Sequence, residues 1–118
     1  MVHLYSTSRY KVNKKNLIDF AQEILNGYYV AQVSALNIIF VGSRKMKKIA
    51  LDYKGENVAL PVLSFSYLHD PIKDTEQVIG EVVICYPQAV LLAAERDKKV
   101  EVMMKQLIEH GIKNIFSK

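Results

Sequence analysis

The spacing of apolar positions along the chain predicts four strands and four helices. Runs of β-branched and aromatic residues predict strands at residues 2–6, 36–41, 62–67 and 78–85. Apolar residues at helical spacing predict helices at about residues 17–25, 44–53, 87–95 and 100–115. The resulting order, β-α-β-α-β-β-α-α, does not alternate strictly, which favours an α+β fold: a mixed β-sheet with helices packed on it. Since no repeat or flexible linker interrupts this order, residues 1–118 are predicted to form a single domain.

Polar residues beside the apolar runs predict where the helices begin. The stretch 12–16 (Val-Asn-Lys-Lys-Asn) offers an N-cap for the first helix, whereas Ser43 and Asp97 are the expected caps of the second and last helices. Residues 28–34 are expected to connect the first helix to the next strand. Residues 69–76 are polar and are expected to form an exposed loop.

The last predicted helix carries the clearest apolar stripe. Its members are Val100, Met103, Met104, Leu107, Ile108, Gly111 and Ile115. The two methionines are interpreted as core residues rather than ligands of a soft metal. His110 and Asn114 are four residues apart at the edge of the stripe, so the pattern predicts that they stack one turn above the other.

Composition narrows the class of protein. With 118 residues, half of them hydrophobic and 24% charged, the chain suits one globular core. Its apolar runs are far shorter than the roughly 20 residues that cross a bilayer, and residues 1–10 lack the pattern of a secretory signal. The single cysteine, Cys85, excludes an internal disulfide and a cysteine-based zinc site, and we expect it to be buried. These features favour a reducing, cytoplasmic location and no membrane partner.

Basic charge is concentrated in the first half of the chain. Residues 1–54 carry nine Lys and Arg against three Asp and Glu, whereas residues 55–118 carry seven against nine. A candidate phosphate-binding patch lies on the second predicted helix and comprises Arg44, Lys45, Lys47 and Lys48, with Lys54 beyond the helix end. Tyrosines that could stack on unpaired bases are Tyr28, Tyr29 and Tyr53. The sequence leaves open the alternative that the tyrosines pack and the lysines stay hydrated.

The three histidines limit the metal chemistry that the chain can offer. His3 is near the terminus, His69 lies in a predicted loop and His110 lies on the last helix. A zinc site needs three or four ligands on fixed elements, and Asn114 is a poor ligand. Taken alone, these residues favour a partly buried, hydrogen-bonded His110 over a metal ligand.

Common catalytic motifs do not occur in the sequence: there is no P-loop, no G-x-G-x-x-G and no G-x-S-x-G. Ser64 lies in an apolar strand and is interpreted as a structural residue rather than a nucleophile. Glu81 is interpreted as a solvated carboxylate at a strand end, with a general base as the alternative.

Five short strings occur in the order and spacing of one known family. They are residues 37–41 (Asn-Ile-Ile-Phe-Val), 53–55 (Tyr-Lys-Gly), 62–65 (Val-Leu-Ser-Phe), 79–84 (Ile-Gly-Glu-Val-Val-Ile) and 110–111 (His-Gly). Together they resemble the YbeY family of bacterial rRNA-maturation endoribonucleases over roughly residues 36–114. The family's counterparts include Tyr-Arg-Gly, L-G-D-I-V-I and the motif H-G-x-x-H-L-x-G-Y-D-H.

The resemblance implies a zincin-like α+β architecture and metal-dependent cleavage of single-stranded RNA. Family members place three histidines of the last motif around zinc, and His110 matches the first of them. Lys54 matches the family's arginine, which holds RNA in a basic groove, and is therefore the implied catalytic residue. Arg44, Lys45 and Lys48 are the candidate RNA contacts, and single-stranded rRNA or the small ribosomal subunit is the implied partner.

Several positions depart from the family pattern. Asn114 stands where the second metal histidine is expected, and the sequence stops at Lys118, before the third. Leu60 and Pro61 replace two polar residues, and Lys54 keeps the charge of arginine without its planar fork. Zinc is therefore expected to be absent or weakly bound. Three hypotheses follow. The first is an rRNA-maturation endoribonuclease with a reduced or borrowed metal site, and the second is a non-catalytic descendant that binds RNA, a ribosomal subunit or a protein. The third is a similarity in fold only, with an unrelated partner.

Overall fold

The computed structural model describes residues 1–28, 34–68 and 77–117. The strands in these ranges are β1 (Val2–Tyr5), β2 (Ser34–Val41), β3 (Val62–Ser66) and β4 (Gln77–Cys85). The helices are α1 (Lys14–Asn26), α2 (Ser43–Lys54), α3 (Tyr86–Glu95) and α4 (Val100–Phe116). The predicted order of elements and the α+β class are confirmed. Predictions that concern Tyr29, His69 and the loop 69–76 lie outside the described residues.

The four strands form one mixed sheet in the order β1-β2-β4-β3. β1, β2 and β4 are parallel, whereas β3 runs antiparallel to β4 and forms an edge of the sheet. The register pairs Asn37 with Glu81, and Glu81 with Phe65. Because directly opposed residues point to the same side of a sheet, these three side chains share one face.

Helices cover both faces of the sheet. On one face, α1, α3 and α4 enclose the larger core, to which Ile38 and Val82 contribute from the central strands. On the opposite face, α2 packs over a smaller cluster that includes Met46 and Cys85. Cys85 is buried there, as predicted. Within the described ranges, none of the helices combines the length and hydropathy that a membrane span requires.

α4 packs closely on the sheet: Met103 and Met104 of this helix are buried in the core, as predicted. A glycine of β4 leaves the room that the last turn of α4 needs. A Cβ atom added to Gly80 would lie 2.6 Å from Ile115 Cδ1 and 2.7 Å from the Phe65 carbonyl oxygen. A glycine is therefore required at this point of β4 for the last turn of α4 to reach the strand.

The start of α1 agrees with the sequence prediction, whereas the start of α2 does not. Asn13 caps α1, and its Oδ1 accepts a hydrogen bond from the backbone N–H of Asn16 at 3.1 Å. Gly42, not Ser43, occupies the N-cap position of α2. Ser43 is already helical, and its hydroxyl lies 3.8 Å from the Cys85 sulfur instead of bonding the first turn.

The prediction that Asp97 caps α4 is also wrong, because Lys99 occupies that position. Asp97 adopts φ 54, in the left-handed region that short polar residues tolerate. The N–H of Lys98 then donates back to the Ala93 carbonyl at 2.9 Å. Asp97 therefore belongs to the end of α3 rather than to the start of α4.

Candidate functional site

The end of α2 places Lys54 at the margin of the sheet. Gly55 follows it with φ 68, a left-handed conformation that glycine enters without steric cost. The N–H of Gly55 donates to the Leu51 carbonyl at 3.0 Å, which closes the helix. The string Tyr-Lys-Gly thus has a structural cause: the glycine ends α2 directly after Lys54 and leaves that side chain exposed.

A hydrogen bond between β3 and α4 brings the last turn of α4 to the same margin. The Ser66 hydroxyl donates to the Ile115 carbonyl at 3.0 Å. Ile115 is itself buried and contacts the position of Gly80. The neighbouring residue Asn114 is thereby held, exposed, beside the edge strand.

These two arrangements create a polar cleft of about 230 Å³ at the edge strand β3, which we call the Lys54 cleft. Its lining residues are Lys54, Ser64, Ser66, Asn114 and Ser117. The structure therefore brings together Lys54 and Asn114, the positions that match the family's RNA-holding arginine and its second metal histidine. An ammonium, hydroxyls and a carboxamide are donors suited to phosphate and sugar oxygens.

His110 does not line the Lys54 cleft. It is exposed on α4 and lines a separate groove of about 310 Å³ together with Pro61, Val62 and Arg96. The expectation of a partly buried histidine is therefore wrong, because this position at the edge of the apolar stripe turns away from the core. Of the two replaced positions, Pro61 lines this groove beside His110, whereas Leu60 packs against the cluster under α2.

The described residues do not fit the zinc site that the family pattern implies. A protein zinc site takes at least three protein ligands. In the ranges 1–28, 34–68 and 77–117, no group of three or more His, Cys, Asp or Glu side chains is placed to hold a metal ion. His110 and Asn114 offer one imidazole and one carboxamide, and they line different depressions.

The basic residues of the second helix form a continuous exposed surface, which we call the α2 patch: Arg44, Lys45, Lys47 and Lys48. Met46 and Ala50 of the same helix are fully buried, so helical spacing directs the cations outward. In the part of the chain that the structure describes, none of the four makes an ion pair. Their charge is available to a phosphate backbone.

The sequence left open whether the tyrosines pack in the protein or stack on bases, and the two described tyrosines, Tyr28 and Tyr53, differ in this respect. Tyr28 stacks on Phe116, with ring centroids 4.2 Å apart and 8° between the planes, so it is a packing residue. Tyr53 is 70% exposed, and its ring meets Phe65 edge-on at 4.8 Å. Tyr53 is therefore the more accessible of these two rings and remains the candidate for stacking on a base.

A third depression lies under α2, and the sequence patterns do not predict it. This Glu81 cavity has a volume of about 220 Å³. Glu81 is the fifth residue of β4 and is half-buried, so its interpretation as a solvated strand-end carboxylate is wrong. Tyr67 donates to Glu81 Oε1 at 2.7 Å, and the Asn37 amide donates to Oε2 at 3.4 Å. The signal was two single polar residues inside apolar runs, Asn37 and Glu81, which the parallel register places opposite each other.

The sequence matches the profile of one protein family, Endoribonuclease YbeY, over residues 4–115. Among curated relatives, the Endoribonuclease YbeY of Janthinobacterium sp. (strain Marseille) is 31% identical over 77 residues, which cover 65% of this chain and 49% of the relative. The Endoribonuclease YbeY of Cupriavidus necator is 32% identical over 79 residues, which cover 67% of this chain and 38% of the relative. The chain thus spans about half, or less, of the length of these curated relatives.

A solved structure shows the same fold. The solution structure of a Thermotoga maritima protein superposes with a TM-score of 0.66 and covers 98% of this chain and 71% of that protein, at 23% sequence identity. The residues that match the family profile, 4–115, include every strand and helix described above except the first two residues of β1 and the last residue of α4. By its profile match and its curated relatives, the chain belongs to the YbeY family.

Proposed function

We propose that this chain is a YbeY-type rRNA-maturation factor that acts in the cytoplasm and binds single-stranded RNA, free or in the small ribosomal subunit. The observation that supports this most is the Lys54 cleft, where Lys54 and Asn114 meet two strand serines at an exposed edge. The α2 patch lies on the same helix as Lys54, which follows Lys47 by about two turns and is the last residue of that helix. A phosphate backbone that follows α2 therefore reaches the cleft.

The donors of the cleft suit one phosphate group. The Lys54 ammonium is a compact point charge with three donors on a flexible stem, so it neutralises a phosphate without the bidentate geometry of arginine. The Ser66 proton is used on the Ile115 carbonyl, which leaves the Ser64 hydroxyl and the Asn114 amide to add hydrogen bonds. Such contacts position a strand but read no sequence.

RNA binding without cleavage is the function that the described residues support best. The cleft offers the Lys54 ammonium, hydroxyls and a carboxamide, which supports phosphate binding by Lys54. His110 and Asn114 line separate depressions, and no group of three ligands forms among the described residues.

The second candidate function is single-strand endoribonuclease activity. It is favoured by the family, and by the position of Lys54 beside residue 114, where that family places a metal ligand. Metal-dependent cleavage would need ligands besides His110, from a partner chain or from residues that the structure does not describe. One assay can separate the two candidates.

The test measures binding and cleavage of the same labelled single-stranded RNA. Fluorescence anisotropy is expected to show binding that Lys54→Ala weakens about three- to tenfold, the loss of one charged phosphate contact, while Lys54→Arg retains it. Lys99→Ala removes an exposed charge at the start of α4 and is the matched control. Intact RNA on a denaturing gel, with and without added zinc, supports the binding function.

Other outcomes decide against it. Cleavage that requires zinc and Lys54 would establish the endoribonuclease instead. Absence of any RNA binding at low salt would overturn both candidates.

A further inference from the structure

We propose that the Glu81 cavity binds a guanine base of the single-stranded RNA that the Lys54 cleft holds. This inference rests on the proposed function, because it assigns base recognition to a surface beside the phosphate-binding cleft. The cavity lies on the opposite side of β3 from that cleft. It combines apolar walls with one carboxylate, a composition typical of a site for a planar, hydrogen-bonding ligand.

The walls of the cavity are apolar and aromatic. Ile39 and Val83 contribute from β2 and β4, and Phe65 contributes from β3. Tyr53 lines the same space and is 70% exposed, so its ring can cover a base that enters. Stacking on aromatic side chains is the usual way in which proteins hold unpaired bases.

The carboxylate of Glu81 supplies the selectivity. Tyr67 and Asn37 donate to different oxygens of this group, at 2.7 Å and 3.4 Å, and thereby fix its orientation. A carboxylate has about four acceptor positions, so these two bonds leave acceptor capacity toward the cavity that Glu81 lines. Guanine is the RNA base that presents two adjacent donors, N1–H and the N2 amino group, on its Watson–Crick edge. Adenine, cytosine and uracil each present one donor group there.

The geometry of β3 connects the cavity to the Lys54 cleft. Alternate residues of a strand point to opposite faces, and Ser64 and Ser66 line the cleft while Phe65 lines the cavity. At the end of α2, Tyr53 likewise lines the cavity, whereas Lys54 lines the cleft. An RNA strand that crosses this edge therefore has a phosphate site on one side and a base site on the other. Lys45 of the α2 patch also lines the cavity and offers an ammonium to the phosphate beside the bound base.

The experiment measures the affinity of mononucleotides for the whole chain by isothermal titration or by NMR shifts. We expect GMP to bind about tenfold more tightly than AMP, and more tightly than IMP, which lacks only the N2 amino group. Glu81→Gln is expected to abolish the preference, because a carboxamide replaces one acceptor oxygen with a donor. Circular dichroism of this variant reports whether the sheet is retained.

A second variant changes a residue of α2 and therefore does not disturb the sheet in which Glu81 lies. Tyr53→Ala removes an exposed ring and is expected to weaken GMP binding at least about threefold, whereas Leu51→Ala, an exposed apolar residue of the same helix, leaves it unchanged. Equal binding of GMP, AMP and IMP, or GMP binding unaffected by Tyr53→Ala, would overturn the inference.

Two measurements distinguish failure of the guanine site from failure of the proposed RNA-binding function. RNA oligonucleotides that bind equally with guanine or adenine, but lose affinity in Lys54→Ala, would refute the base site alone. Loss of all RNA binding, together with selective GMP binding, would refute the proposed RNA function and leave a guanine-nucleotide site.

Discussion

Gly111 of α4 lies directly against Val82 of β4: a Cβ atom on Gly111 would be 2.6 Å from Val82 Cγ1. Both residues are buried at the centre of the larger core. The contact sets the distance between α4 and the sheet. It thereby also positions His110, which precedes the glycine, and Asn114, which follows it by three residues. The string His-Gly therefore has a packing cause that is independent of any metal.

This contact predicts that Gly111→Ala destabilises the protein. The added methyl group must displace Val82 or lift α4, and overpacking of this kind typically costs about 1–3 kcal/mol. The measurement is the midpoint of urea unfolding followed by circular dichroism. Gly27→Ala is the matched control and is expected to cost less stability. Gly27 has φ −73, and the added atom would lie 3.3 Å from the Ile24 carbonyl oxygen, a milder crowding than at Gly111. A Gly111→Ala protein as stable as the parent would show that α4 does not seat on Val82.

A second glycine prediction concerns the end of α2. Gly55 has φ 68 with open space around its missing side chain, so Gly55→Ala adds only the strain of the left-handed conformation, about 1–2 kcal/mol. Gly55→Asn is expected to cost less, because asparagine tolerates this conformation. Thermal unfolding of the three proteins checks the order. If alanine and asparagine proved equally costly, the helix would end in another way.

The elements of this fold follow from local patterns, whereas the site depends on relationships that the sequence does not display. The apolar stripe of α4 and the Asn13 cap were predictable, because the residues that decide them are within a few positions of one another. Asp97 was mispredicted because an aspartate serves equally as an N-cap or in a left-handed turn, and the chain after α3 selects the turn.

The composition of the Lys54 cleft illustrates the same limit. The family resemblance pointed to Lys54 and Asn114, but the bond from Ser66 to the Ile115 carbonyl, which brings α4 to β3, joins segments far apart in the chain. Glu81 was misjudged because its partners, Asn37 and Tyr67, become neighbours only through the pairing of β4 with β2 and with β3. Such groups can be suspected as single polar residues in apolar strands, but their partners are fixed by the sheet.

The α2 patch predicts a salt-sensitive RNA affinity. Replacing Arg44, Lys45 and Lys48 with alanine removes three exposed cations that have no ion-pair partner among the described residues. Each lost phosphate contact should reduce the slope of log K against log salt by about 0.7 for a single strand. We therefore expect weaker binding and a slope shallower by about two units, measured by anisotropy over a series of salt concentrations.

The control for the α2 patch carries the same loss of charge on the other face of the sheet. Lys14 and Lys15 lie in the first turn of α1, and Lys99 precedes α4. Their triple alanine variant is expected to keep the parental slope, since these residues are remote from α2 in the layered fold. If both triple variants lowered the slope equally, net charge rather than the α2 patch would govern binding.

The last prediction concerns zinc, and it asks whether one residue separates this chain from a metal-binding helix. His110 and Asn114 are one turn apart and both exposed on α4, so Asn114→His would place two imidazoles at the spacing that chelates a metal from one helix face. We expect the parent chain to hold no stoichiometric zinc after dialysis and Asn114→His to raise zinc affinity at least about tenfold, because a second imidazole adds a metal–ligand bond.

Val102→His is the control for the zinc prediction, with an exposed imidazole about 12 Å along the helix axis from His110 and beyond bridging distance. Zinc content by elemental analysis and affinity by competition with a chelating dye are the measurements, and adding His110→Ala should cancel the gain. Stoichiometric zinc in the parent chain that His110→Ala removes would show instead that other residues complete a site around His110.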